Sequence, residues 1–304
     1  MATSSTSVGL PPVLGTPAPV LRDTEIPETR MVTHRRFDRL ARLYGDAGVA
    51  RLMGARIAVF GLGGVGSFAT EALARSAVGH LMLVDFDKVC VTNVNRQLQA
   101  LRGTIGRSKA ELLAERVRLI NPQAKVQHEE RFYSAACSEE LLRSPWGDSF
   151  DGVIDCIDNM TAKAHLIASC VAQGINIVSS MGAAGKIDPT QIQVGDLSEC
   201  HGCPMAKALR KILRQKHGFA ERGPMGVQVV FSAEPRSWPQ PLAYDGDEGF
   251  RCVCPHKSNE HSCEERNLID GTASFVTGSF GLHCAALVVN GLVRQSAPSE
   301  CIGS

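Results

Sequence analysis

Five side chains stand where a protein that grips phosphate would need them: Asp85, Asn93, Arg96, Lys109 and Asp158. The first three belong to Asp85-Phe86-Asp87 and the polar run that ends in Arg96-Gln97. An amide and a guanidinium can hold phosphoryl oxygens, the guanidinium through two parallel bonds. Lys109, in Gly106-Arg107-Ser108-Lys109, adds a cation at the start of a helix. Asp155-Cys156-Ile157-Asp158-Asn159 puts two carboxylates at the end of an apolar strand, a natural seat for magnesium. Together these residues describe a socket for a nucleoside triphosphate.

The elements that must position them begin with an apolar run, Ile57 to Phe60, which reads as a buried parallel strand. A glycine-rich turn follows at Gly61-Leu62-Gly63-Gly64-Val65-Gly66, then a helix from Ser67 to Ala77 with small residues on one face. His80 to Val84 is the next strand, and Asp85 sits at its carboxyl end. In such a βαβ unit Gly61, Gly63 and Gly66 let the backbone approach a phosphate, and Asp85 meets a ribose hydroxyl. This part alone fits a dinucleotide-dependent oxidoreductase equally well. The polar cluster after Asp85 is what favours a triphosphate.

The rest of the chain keeps the alternation. Phe37, Leu40, Ala41, Leu43 and Tyr44 recur at helical spacing within His34 to Ala50. Lys109 to Ile120 is an amphipathic helix closed by Asn121-Pro122. Strands are expected at Ala124 to His128, Gly152 to Cys156 and Ile175 to Ser180, with helices at Ser138 to Leu142 and Thr161 to Gln173. The sum is an α/β fold: a doubly wound, mainly parallel, Rossmann-like sheet with an N-terminal helical segment and a C-terminal extension. Ligands of such sheets bind at the carboxyl edge of the strands. Beyond Gly185, Lys186 to Val194 alternates like a half-exposed strand, Met205 to His217 reads as a basic helix, Val227 to Phe231 as a strand and Gly271 to Leu292 as an apolar helix. Three regions follow: a disordered tail over 1–29, a nucleotide-binding domain over 30–195, and an extension of the same domain over 196–304.

Composition narrows the setting. The hydrophobic fraction of 44% is ample for a core, and the net charge of +1 leaves no global field for nucleic acid. No run approaches the ~20 apolar residues of a bilayer span, so no membrane partner is expected. The eleven cysteines, with no convincing secretory signal, suit a reducing cytoplasm. Cys252, Cys254, His261 and Cys263 could form a tetrahedral zinc site, with reduced thiols on a loop as the alternative. Arg210, Lys211, Arg214, Lys216 and His217 form the one basic run, read as a solvated helix face or as a nucleic-acid contact.

Taken together, GxGGVGS, DFDxVxxxNxxRQ, GxxK and DxxDN resemble the ATP-adenylating superfamily of ubiquitin-activating enzymes and bacterial adenylyltransferases. Ala41-Arg42-Leu43-Tyr44-Gly45, residues 89–97 and residues 185–194 look like its tRNA threonylcarbamoyladenosine dehydratase branch. The similarity is good over Phe37 to Arg214, thin between Glu221 and Asp270, and resumes at Gly271 to Gly281. It implies ATP and magnesium, with Asn93, Arg96 and Lys109 on the triphosphate, Asp158 on the metal, and Gln97 and Asn159 beside them. It also implies that Arg42 completes the clamp, in dimers across the subunit boundary. The expected substrate is tRNA, whose modified adenosine carries a carboxylate to be adenylated. A homodimer and a cysteine-desulfurase sulfur acceptor are the partners the resemblance suggests. The rival within the superfamily is an adenylyltransferase acting on the C-terminus of a ubiquitin-like sulfur carrier.

Overall fold

The computed structural model describes residues 35–242 and 270–294. The expected tail over 1–29 and the zinc ligands Cys252, Cys254, His261 and Cys263 lie outside the described residues. Contacts separate Phe37–Ser304 as a unit by itself, and the fold below is that unit's.

In chain order the elements are α1 (Asp38–Gly54), β1 (Arg56–Phe60), α2 (Gly66–Arg75), β2 (His80–Val84), α3 (Lys109–Ile120), β3 (Lys125–Glu129) and α4 (Ser138–Leu141). Then come β4 (Gly152–Asp155), α5 (Met160–Ala172), β5 (Ile177–Ser180), β6 (Ile192–Asp196), α6 (Pro204–His217), β7 (Gln228–Ser232) and α7 (Ser274–Arg294). The seven strands lie in the order β3-β2-β1-β4-β5-β7-β6. All neighbours pair parallel except β6 with β7.

Side-chain alternation along the strands sorts the helices onto two faces. Ala58, Phe60, Met82, Val84 and Val153 pack with Leu141 of α4, Leu166 and Ile167 of α5, and Leu209 and Leu213 of α6. Ile57, Val59, Leu81, Leu83 and Ile154 face the other way, against Leu73 of α2, Leu113 of α3 and Phe280 and Val288 of α7. This is the doubly wound arrangement expected from the sequence.

Three features depart from expectation. The alternating stretch that begins at Lys186 is not strand throughout. Pairing starts only at Ile192, after a 3-10 turn over Pro189–Gln191. Lys186 is buried with its Nζ on the Glu234 carbonyl, while the Glu234 carboxylate accepts from the Ile187 N–H at 2.9 Å and the Asp188 N–H at 3.2 Å. The sequence read as lacking a span-length apolar run, yet α7, at 21 residues, is long and apolar enough to cross a membrane by length and composition. Here it serves as a core helix. Gly281 abuts α2 so closely that a Cβ there would lie 2.3 Å from the Val65 carbonyl oxygen, and one at Gly278 would lie 3.0 Å from the Phe68 ring. Finally, α1 kinks at Gly45, whose φ of 70° is left-handed.

Candidate active site at the carboxyl rim of the sheet

β1, β2, β4, β5 and β7 end on one edge, because their pairings are parallel. The glycine turn leaves β1 there with Gly61 at φ +83°, and the Gly61 N–H donates to the Val84 carbonyl at 2.9 Å. A Cβ on Gly66 would lie 1.8 Å from the Gly61 carbonyl oxygen, so the turn can close onto α2 only with hydrogen at that position. A Cβ on Gly63 would meet nothing nearer than the Gln97 Nε2 at 3.8 Å. Gly63 is thus the least crowded glycine of the turn.

Asp85 fastens this turn. Its Oδ2 accepts from the Leu62 N–H at 2.6 Å and its Oδ1 from the Asp87 N–H at 2.8 Å. Burial pushes its carboxyl above the ordinary aspartate range, and the neighbouring Lys109 works against that rise. Lys109 is 5% exposed and donates to Asp87 Oδ2 at 2.7 Å. Its burial favours the neutral amine, but the carboxylates of Asp85 and Asp87 outweigh this and hold the ammonium above its usual value. A fixed cation thus stands beside the turn. Asp87, whose role the sequence left open, is the partner that aims it.

The 3-10 turn at Val91–Asn93 presents the next group. Asn93 is buried and caps the turn by accepting from the Cys90 N–H at 3.0 Å. Its carbonyl accepts from the N–H groups of Arg96 at 3.0 Å and Gln97 at 2.9 Å. Arg96 crosses the glycine turn: a Cβ on Gly64 would lie 3.1 Å from Arg96 Cγ. Its Nη1 donates to the Thr92 carbonyl at 2.8 Å and to Asn95 Oδ1 at 2.9 Å. Gln97 bonds to Gln99 at 3.3 Å, and Gln99 in turn donates to the Leu62 carbonyl at 2.7 Å. These two glutamines therefore brace the glycine turn.

The second carboxylate pair divides in two. Asp155 is fully buried, ion-paired to the fully buried Lys163 at 2.8 Å, and accepts from Ser179 Oγ at 2.6 Å and from the Ile157 N–H at 3.0 Å. With its oxygens occupied it is not available as the second magnesium ligand the strand end suggested. Asp158 is exposed at the rim, and Asn159 caps α5 by accepting from Thr161 and Ala162 N–H groups at 3.1 and 3.0 Å. Lys163 was missed in the sequence. Its signal was a lone lysine among the mostly apolar residues of Met160–Ala172, eight positions beyond a strand-end aspartate.

Arg42 is not brought to this group within the chain. It stands exposed on α1, paired with Asp38 at 3.0 Å. Cys200 and Cys203 are buried, with Cys203 at the N-cap of α6. Among the described residues no three His, Cys, Asp or Glu side chains form a metal cluster.

A glycine turn braced from below, a buried ammonium and an arginine laid across it define a nucleotide-binding ThiF-type fold. The ThiF family matches residues 37–299, and the chain belongs to it. Within that family it is similar to the tRNA threonylcarbamoyladenosine dehydratase of Haemophilus influenzae, with 39% identity over 86% of this chain and 95% of that one. The Bacillus subtilis dehydratase is 45% identical over 65% of this chain and 74% of its own. The E. coli dehydratase solved in complex with ATP superposes with a TM-score of 0.73 at 36% identity, covering 88% of this chain and 97% of that one.

Proposed function

We propose that the chain is an ATP-dependent tRNA threonylcarbamoyladenosine dehydratase. The observation that carries this is the presence of two cations beside the glycine turn, Lys109 held by Asp87 at 2.7 Å and Arg96 with its Cγ 3.1 Å from a Cβ built on Gly64. A dinucleotide oxidoreductase has no use for those two cations.

The substrate is a modified adenosine in tRNA whose side chain ends in a carboxylate beside a carbamoyl group. Loss of water from that carboxylate requires a better leaving group than hydroxide. Attack of the carboxylate on the α-phosphorus of ATP expels pyrophosphate and gives an acyl adenylate. The carbamoyl group then closes a ring on the acyl carbon, and AMP leaves. Ring closure within one molecule gains a large effective molarity, so the protein needs no nucleophile of its own. Its work is to position ATP and to offset charge that develops on the phosphates.

Each residue's part follows from its surroundings. Gly61 and Gly66 let the turn close on its neighbours while Gly63 faces the phosphates, Asp85 sets the turn and accepts from the ribose, and Asn93, Arg96 and Lys109 hold the triphosphate. The one exposed carboxylate on this loop, Asp158, fits magnesium, which takes one or two carboxylates and completes its shell with phosphate oxygens and water. Bound there, the ion supplies charge neutralisation. Arg42, exposed and paired with Asp38 among the described residues, is available to a second copy, and a homodimer would deliver it across the boundary. None of the described cysteines is in a disulfide, in keeping with a cytoplasmic tRNA enzyme.

The test is direct. Purified protein, magnesium, ATP and tRNA carrying the threonylcarbamoyl adenosine should yield the nucleoside lighter by one water, together with AMP. A product of unchanged mass, with ATP instead consumed on addition of a sulfur-carrier protein, would replace this reading by the adenylyltransferase one.

A further inference from the structure

Trp238 lies 69% exposed, the most solvent-open aromatic ring among the described residues. Burying an indole stabilises a fold, and leaving one in water forgoes that gain. This ring is also held in a defined pose. The Arg236 guanidinium carbon sits 4.7 Å from the ring centroid, and Arg236 is itself fixed by its Nε on Asp270 at 2.8 Å. One face of the indole therefore carries a cation, while the residue as a whole stays open to solvent.

Its location ties it to the nucleotide site. The Ser237 N–H donates to the Gly185 carbonyl at 2.8 Å, and the Gly185 N–H donates to the Gly271 carbonyl at 2.9 Å. The next residue, Thr272, accepts from Asn95 Nδ2 at 2.9 Å, and Asn95 also receives Arg96 Nη1. A continuous run of hydrogen bonds thus connects the Trp238 strap to the arginine over the glycine turn. The strap leaves β7 at the carboxyl end of the sheet, on the rim that holds the ATP residues.

We propose that Trp238, backed by Arg236, is a stacking platform for an unpaired nucleobase of the tRNA substrate, next to the nucleoside being cyclised. The inference rests on the dehydratase reading above. A nucleoside in a single-stranded loop must be splayed out of its stack to present its side chain to ATP. Proteins take up the neighbouring bases on aromatic rings and guanidinium planes. An indole with a cation on one face is a strong partner for a base on the other. Net charge is only +1, so long-range attraction does little, and local stacking takes on more of the recognition.

The chain has two tryptophans, and Trp146 is half-buried against His80 with ring centroids 5.1 Å apart. A Trp146→Phe background leaves Trp238 as the sole indole. Titration of that protein with a modified anticodon stem-loop should quench its fluorescence saturably. Trp238→Ala should weaken stem-loop binding about tenfold, measured by filter retention, with ATP affinity unchanged, whereas Trp238→Phe should keep most of the binding. The tRNA KM should rise by the same factor as Kd. Binding and cyclisation are separate readouts. Cyclisation by the native protein together with unchanged stem-loop Kd in Trp238→Ala overturns the platform and leaves the dehydratase reading intact. Failure of the native protein to bind the stem-loop overturns the platform whatever the chemistry, and absence of cyclised nucleoside overturns the parent reading. A ring-insensitive loss, equal in Trp238→Ala and Trp238→Phe, also overturns it.

Discussion

Replacing Lys163 by methionine should destabilise the protein far more than its distance from any ligand suggests. Asp155 and Lys163 are both fully inaccessible, with their charged atoms 2.8 Å apart. Removing one partner leaves a buried charge uncompensated, at about 3–5 kcal/mol. Each kcal/mol shifts the melting temperature of a domain this size by roughly 2 °C, so a fall of about 6–10 °C is expected. The pair also has a task at the rim. Lys163 Nζ donates to the Ile157 carbonyl at 3.0 Å, which holds the loop one residue before Asp158. Lys163→Met should therefore raise the magnesium concentration needed for half-maximal activity, while Lys163→Arg, which can keep both contacts, should restore part of it. The decisive comparison is the double substitution. Asp155→Asn with Lys163→Met removes both charges, and its Tm should lie above that of Lys163→Met alone, because the stranded carboxylate is gone. Thermal denaturation followed by circular dichroism reads this. A Tm for Lys163→Met within about 2 °C of the native protein, or a double variant less stable than the single, would refute the argument that charge compensation holds the pair together.

Other expectations concern the rim itself. Gly66→Ala should abolish ATP binding in an equilibrium titration, since the methyl would fall 1.8 Å from the Gly61 carbonyl oxygen, whereas Gly63→Ala should fold normally and lose only nucleotide affinity. Equal ATP affinity in all three proteins would show that the turn is not where phosphate lies. Arg96→Ala should lose roughly a hundredfold in kcat for cyclisation; normal turnover in a coupled AMP assay would remove Arg96 from the clamp. Cys203 should be a thiolate at neutral pH. Its thiol is held down to about 5 by the Cys200 hydrogen bond and, against the effect of burial, by the N–H groups of Ala206, Gly182 and Met205 around the start of α6. The thiolate absorbance near 240 nm should persist at pH 7 and vanish as pH falls through about 5, and be missing in Cys203→Ser; a transition above pH 8 would contradict it.

Local pattern settled a great deal of this molecule. Apolar runs bounded by Gly, Asn and Pro located β1, β2, β4 and the helix Lys109–Ile120, because buried strands and amphipathic helices carry their periods in the chain itself. The glycine turn and the polar residues Asp85, Asn93, Arg96 and Lys109 were marked by residue type and short spacing, and the structure gathers them at one rim of the sheet. What the chain order could not reveal was how charges are shared between segments. Asp155 resembled a metal ligand until Lys163 met it in the core. Gln97, expected beside the triphosphate residues, accepts from Gln99 Nε2. Lys186 read as part of a strand and is a buried lysine on Glu234. The helix Ser274–Arg294 is apolar enough for a bilayer, and its packing, with Phe280 and Val288 in the core and its glycines against α2, shows that it belongs in the core. Periodicity is a property of neighbours along the chain. Which carboxylate remains open to a ligand depends on the compensation of buried charge by partners far away in sequence, and only the tertiary structure decides that.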